Sequence, residues 1–365
     1  MKKPGAGVKL RRFDDRRPGM TDQEREERRI ENGTEAFRKG HDLPFLSQDM
    51  ASALEAVERQ LEDWASSGNP LVSEISGYLF GQKGKRIRPA LVILTERLFG
   101  RRSDEEIFHA ALLELMHTAS LVHDDIVDGS ERRRGARTVH ARWGPNVTVL
   151  LGDYLYIRSM ELALASRHKR VIGILTEVST RMVEGELDEY SVSGRLDTDE
   201  KTYLGIIGKK TAALFEACCR IGSILAAAGP AEEEAAARFG LNTGLAFQIT
   251  DDILDFTSDQ ASLGKPVFSD VREGRMTPPL IHALETGEME MRLLIESHFG
   301  KKRSVEETAR KRLILGLEDL GSLQHARELA QRYTAKALAY LSLFPASAAK
   351  TALAGLLDFV GERNY

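Results

Sequence analysis

From Ser47 onward, apolar and polar positions recur at helical spacing, interrupted only by short Gly, Pro or Asp breaks. Runs of strand length with strict alternation are scarce, and Ala, Leu, Glu and Arg dominate the long stretches, so the pattern predicts an all-α protein. Two segments, 110–122 and 222–228, are apolar on nearly every face, which predicts helices at the centre of a bundle. Residues 1–44 carry dense mixed charge with almost no apolar periodicity before Leu43, and read as a flexible charged arm. No second compositional shift follows, so 45–365 reads as one large helical domain.

Composition narrows this picture in three ways. At 365 residues and 42% hydrophobic content the chain can bury a large core, which excludes a disordered protein. A net charge of −4 provides no global attraction to nucleic acid or to an anionic membrane, so any anion site must be local. The opening basic stretch is followed by no apolar signal region, and no run of 18 apolar residues is present, so the expected place is the cytoplasm without a stable membrane anchor. Cys218 and Cys219, adjacent in an apolar helical stretch, point about 100° apart and are expected as small buried thiols rather than a disulfide.

Polar residues on apolar helices then carry the chemistry. Asp124, Asp125 and Asp128 end the apolar run in HDDIVDGS, where like charges repel and the helix dipole opposes them, so a cation should compensate. The same arrangement returns as Asp251, Asp252 and Asp255 in QITDDILDF. Two copies of an unfavourable pattern, each ending a core helix, predict two carboxylate clusters facing one cavity. Oxygen-only ligands suit Mg²⁺ completed by substrate phosphates, which implies a diphosphate. A di-iron site is the rival, since Glu106–His109 and Glu114–His117 both spell E-x-x-H. Those motifs lie on what reads as one helix, whereas a di-iron bundle needs them on two.

Basic residues complete the pattern. Lys85 and Arg88 precede Pro89, which suits the first position of a helix whose free N–H groups would also face an anion. Arg132, Arg133 and Arg134 follow the first aspartate cluster, Lys209, Lys210 and Thr211 stand in GKKTAALF, and Lys265 follows the second cluster. One diphosphate held through metal and another through Lys and Arg alone fits these parts.

The ordered set GKRIRP, ELMHTASLVHDDIVD, RRGARTVH, LLGDYLY, EGELDEY, GKKTAALFEA, FQITDDILDF, LGKPVFSD and EGRMTPPLIHAL resembles the trans-isoprenyl diphosphate synthase family from about residue 50 to the C-terminus, most of all its bacterial long-chain octaprenyl members. The resemblance implies an isoprenoid-synthase helical bundle with a central cavity and a head-to-tail condensation of isopentenyl diphosphate onto an allylic diphosphate. It implies that Asp124, Asp125, Asp128, Asp251, Asp252 and Asp255 hold three Mg²⁺. Arg133, Lys210, Gln248 and Lys265 match contacts of the allylic diphosphate, while Lys85, Arg88, His117 and Arg134 match those of isopentenyl diphosphate. Thr211 matches a threonine beside the developing carbocation, and Arg275 stands where relatives often carry Lys. Ala119 matches a chain-length gate that short-chain relatives fill with an aromatic ring; Met116, Leu112 and Met160 lie below it, and a product of about forty carbons is expected. A homodimer is implied as well. Three alternatives stay open here: a shorter geranylgeranyl or farnesyl product, a class I terpene cyclase, or a non-catalytic partner of a heteromeric synthase.

Overall fold

A computed structural model describes residues 47–82, 84–133, 135–258, 268–301 and 305–361. The arm at 1–44, Arg134 and Lys265 lie outside the described residues. The chain folds into helices α1 (Gln48–Ala65), α2 (Pro70–Phe80), α3 (Ile87–Leu98), α4 (Glu106–Val127), α5 (Val139–Trp143), α6 (Pro145–Ala165) and α7 (Arg170–Val192). They are followed by α8 (Glu200–Ile207), a π-turn (Gly208–Ala212), α9 (Ala213–Leu225) and the long α10 (Pro230–Thr257). The C-terminal part holds α11 (Ser269–Glu273), α12 (Pro278–Thr286), α13 (Met289–His298), α14 (Glu307–Asp319), α15 (Ser322–Ser342) and α16 (Ala348–Gly361). Among the described residues the only strands are the two-residue β1 (Arg132–Arg133) and β2 (Ala136–Arg137), an antiparallel pair turned at Gly135, whose φ of 77° glycine adopts without strain. The expectation of an all-α protein is met.

Two apolar cores carry the bundle. The larger joins α1, α3, α4, α6, α7, α9 and α16, and the smaller lies under α8 and α12 to α15. Helices α10 and α15 contribute to both, Phe239 and Ala246 facing one core and Ile249, Ile253 and Phe256 the other. The apolar run at 110–122 is central, as its pattern predicts: Leu112, Leu113, Leu115 and Ala119 have no exposed surface. Helix α4 therefore brings its C-terminal aspartates out of the middle of the larger core, and α10 does the same from the seam between the two. Both E-x-x-H pairs lie on α4, which removes the di-iron reading. Cys218 and Cys219 are buried free thiols.

One local expectation is corrected. Helix α3 starts at Ile87, so Pro89 is its third residue rather than its first, and Arg88 lies inside the first turn. Proline is tolerated there because the first four N–H groups of a helix have no intrahelical acceptor. The start is moved back by Arg86, the N-cap, which adopts a left-handed conformation at φ 51° and ψ 38°.

Candidate active site

The two aspartate motifs meet the π-turn and α7 at one end of the bundle. Glycines set the approach: a Cβ on Gly185 of α7 would stand 2.6 Å from the Lys210 nitrogen, and one on Gly244 of α10 would stand 2.6 Å from the Ala212 Cα. The turn at 208–212 is thus pressed between two helices at positions where only hydrogen fits, and its wider winding aims Lys210 and Thr211 into the site.

The first motif occupies the last turn of α4. Burial, then the negative charge of Glu186, pushes the Asp124 carboxyl up to about 7. Asp125 is also raised by burial, against the pull of Arg133, whose Nε donates to Asp125 Oδ1 at 2.7 Å. Asp128 follows the helix, and its Oδ1 accepts from Arg275 Nη2 at 2.5 Å. At Asp128 the compensating cation demanded by the helix-end acids is therefore Arg275, which also reaches Glu273 at 2.8 Å and Glu189 at 3.4 Å. Lys210 Nζ lies 2.6 Å from Glu189 and 3.0 Å from Glu186 on α7. Burial opposes the Glu189 charge, but Lys210 and Arg275 outweigh it and hold that carboxyl below the usual range.

The second motif divides by depth. Asp251 lines the cavity at the site. Asp252 is buried and fixed from two sides, its Oδ2 accepting from the Tyr203 hydroxyl at 2.6 Å and its Oδ1 from Gln248 Nε2 at 2.8 Å. Gln248 Oε1 in turn accepts from Thr211 Oγ1 at 2.9 Å, so a continuous relay runs Tyr203, Asp252, Gln248, Thr211. Burial first, and then Asp252, raises the Tyr203 hydroxyl well above its ordinary pKa, keeping it a donor. Asp255 departs from its expected place. It is fully buried and accepts from the Ser269 nitrogen (3.1 Å), the Ser269 hydroxyl (2.9 Å) and the Asp270 nitrogen (3.1 Å), tying α10 to the start of α11. Its two oxygens are committed to ordering the site wall instead of opening onto the cavity.

A cavity of about 120 Å³ lies among Glu189, Lys210, Gln248, Asp251, Asp252 and Arg275. A smaller one of about 30 Å³ lies against Arg86, Thr118, Val122, Asp125 and Arg133. Lys85 and Arg88 stand at the start of α3, Lys85 Nζ 4.9 Å above the Phe359 ring and the Arg88 guanidinium 5.0 Å above that of Phe215. His117 is buried on α4. Ala119, Met116 and Leu112 sit in the larger core below the first motif, with Met160 packed against it; none of the four lines the 120 Å³ cavity. Met116 Sδ accepts from the Ser179 hydroxyl at 3.3 Å.

Among the described residues no three Asp, Glu, His or Cys side chains already converge as a cage for a metal. The donor set still fits a hard divalent cation, since every acid at the site offers oxygen and two cationic side chains now stand among them. Such an ion completes its shell with phosphate oxygens and water.

The profile of the Polyprenyl synthetase family matches residues 69–314. The chain belongs to this family. It is a prenyltransferase, and its similarity to relatives runs almost end to end. Over 322 residues it is 34% identical to the octaprenyl diphosphate synthase of Escherichia coli K12, covering 88% of this chain and 97% of that one. It is 36% identical over 322 residues to the heptaprenyl diphosphate synthase component 2 of Geobacillus stearothermophilus, covering 88% and 98%. Among solved structures, the polyprenyl synthase of Caulobacter crescentus CB15, complexed with calcium and isoprenyl diphosphate, superposes with a TM-score of 0.83 at 35% identity, covering 89% of this chain and 99% of that one. The isoprenoid-synthase fold follows from the same likeness, and the terpene-cyclase alternative falls away. As a polyprenyl diphosphate synthase, the chain adds five-carbon units to a growing prenyl diphosphate.

Sequence reasoning passed over Tyr203, Glu186 and Glu189 as site residues, and over the role of Arg86. Glu186 and Glu189 carried a signal, an acidic pair at i, i+3 directly after Gly185 of α7. Tyr203 carried none, because its partner lies on α10, far along the chain.

Proposed function

We propose that this chain is a Mg²⁺-dependent, all-trans long-chain synthase that builds a product of about forty carbons. One observation supports the metal-dependent half above all others. Carboxylates of α7 and α10 line one cavity, Asp128 of α4 is tied to its wall through Arg275, and Lys210 and Arg275 stand as the cations among them. Asp124, Asp128 and Asp251 would hold the metal, with Asp125 and Asp252 held in place behind them by Arg133, Tyr203 and Gln248. When bound, Mg²⁺ supplies neutralisation of the charge that develops on the departing diphosphate.

The chain's own groups do the rest. Lys210, Arg133, Gln248 and Lys265 donate to the allylic diphosphate, so the C–O bond breaks and leaves an allylic cation beside Thr211. Lys85, Arg88, Arg134 and His117 orient isopentenyl diphosphate, whose double bond forms the new C–C bond to that cation. A proton is then lost from the adduct to the departing diphosphate, restoring a double bond. The apolar walls of α4 and α9 keep water from the cation. The small side chain of Ala119 would let the growing product pass between the packed helices toward Met116, Leu112 and Met160. Incubating the purified chain with labelled isopentenyl diphosphate, an allylic primer and Mg²⁺, then chromatographing the dephosphorylated product, tests this reading. A product near forty carbons is expected, and a main product of twenty carbons or fewer contradicts the length.

The working form in this proposal is a cytoplasmic homodimer. Leu150, Ile157 and Leu164 repeat every seven residues on α6, and Val183, Leu187 and Tyr190 line α7; all six are more than half exposed. A stripe of that spacing suits a second copy's helices. The buried free thiols fit a reducing compartment. The Geobacillus relative is named as one component of its synthase, so activity of this chain purified alone separates a homomeric enzyme from a partner subunit.

A further inference from the structure

Between Lys85 and Arg88, two residues assigned to the isopentenyl diphosphate subsite, stands Arg86. Its left-handed backbone sends the side chain inward, where it is 5% exposed. There the guanidinium forks onto Glu58 of α1, Nε to Oε1 at 2.5 Å and Nη2 to Oε2 at 2.8 Å, while Nη1 donates to Glu114 Oε1 of α4 at 2.7 Å. Burial pulls the Arg86 pKa down, but Glu114 and Glu58 more than offset it, so the group stays charged. One residue thus ties α1, the entry of α3 and α4 together. Glu114 stands one helical turn before His117 on α4, so the tie reaches the third residue assigned to the subsite.

Non-glycine residues take the left-handed region only where surrounding contacts over-determine them, and such positions concentrate at ligand sites. A buried Arg–Glu cluster is weak evidence for stability, because well-packed apolar residues can replace such a cluster without loss. Its use here is therefore geometric. With the Arg86 side chain pinned inward, its neighbours Lys85 and Arg88 are each steadied over an aromatic ring, Phe359 and Phe215 respectively. The geometry points to Arg86 as a positioning residue for isopentenyl diphosphate, acting through Lys85, Arg88 and His117 and through no contact of its own with the substrate. This rests on the proposed reading that those three residues form the isopentenyl diphosphate subsite.

The test compares Michaelis constants for the two substrates in Arg86→Met, Arg86→Lys, Glu58→Gln and Lys85→Ala. Arg86→Met is expected to raise KM for isopentenyl diphosphate about tenfold or more while KM for the allylic diphosphate changes less than about twofold, a split that general destabilisation would not produce. Arg86→Lys, which keeps the charge but loses the two-pronged fork, is expected to fall between wild type and Arg86→Met. If Arg86→Met fails to fold by circular dichroism, Glu58→Gln carries the test, with the same split at about threefold. Unchanged constants, or a parallel rise in both, in a folded variant overturn the positioning role. Lys85→Ala separates the two levels. If it raises KM for isopentenyl diphosphate and the Arg86 and Glu58 variants do not, only the positioning role fails; if it leaves that KM unchanged, the subsite reading fails and takes the inference with it.

Discussion

The two halves of the site, one acidic and one basic, are built on opposite principles. In the acidic half, carboxylates from three helices crowd together, Asp124 is driven up to about 7 by burial and Glu186, and Lys210 and Arg275 are shared among several acids. In the basic half, Arg86 is locked in a buried fork, and Lys85 and Arg88 rest on aromatic faces. The first arrangement conflicts with itself until a stronger cation arrives. The second is already complete. In the proposed function, a site with one half of each kind would bind one diphosphate through metal and the other directly, so that one substrate ionises while the other keeps its diphosphate.

Breaking the acidic half should have the largest effect. Asp124→Asn and Asp251→Asn are each expected to lower turnover by about a thousandfold or more at saturating Mg²⁺, because stabilisation of the leaving diphosphate is lost. Steady-state assays check this, and near-normal turnover in either variant would refute the metal assignment. Tyr203→Phe removes one hydrogen bond to a charged group, worth about 1.5–3 kcal/mol, so roughly a ten- to hundredfold loss in turnover is expected with KM for isopentenyl diphosphate unchanged. Below the acidic half, Ala119→Tyr should plug the space between α4 and its neighbours and shorten the main product to about fifteen or twenty carbons while sparing the first condensation. Product chromatography decides it, and a wild-type length would remove Ala119 from the tunnel.

The same charge conflict predicts a smaller effect of opposite sign on stability. Asp124 titrates near 7 in the folded protein against 3.8 ordinarily. A carboxyl raised on folding penalises the fold only when ionised, so the penalty is absent below pH 4, grows between 4 and 7 and is complete above 7. Removing it with Asp124→Asn should raise the Tm at pH 8 in chelator by roughly 1–2 °C, for a screened gain of about 1 kcal/mol. At pH 4 the two proteins should melt together. A thermal scan at both pH values, with chelator present, checks the sign; a lower Tm at pH 8 would mean that the carboxylate stabilises the fold.

Much of this was legible in the sequence because charge at the end of an apolar helix contradicts its surroundings wherever the helix packs. Asp124, Asp125, Asp128, Asp251 and Asp252 announced themselves in that way, and so did the need for a compensating cation. The identity of that cation did not follow, because Arg275 reaches Asp128 only through the tertiary fold. Asp255 shows the limit of motif reading: it shares its letter and spacing with Asp251, yet it serves the start of α11. The start of α3 was misplaced because Pro89 is tolerated at several first-turn positions, and no pattern signals the left-handed turn at Arg86. Gly185 and Gly244 were equally silent, since close approach is a property of two helices and not of either sequence.

Calorimetric titration of each substrate alone, in Mg²⁺ and in chelator, tests the division of the site most directly. A non-ionisable allylic diphosphate analogue is expected to bind in Mg²⁺ and to lose at least about a hundredfold in affinity in chelator, since Asp124, Asp128 and Asp251 then repel it. Isopentenyl diphosphate is expected to bind within about threefold in the two conditions, because Lys85, Arg88 and His117 need no metal to hold it. Equal dependence of both ligands on Mg²⁺, or of neither, would contradict the account.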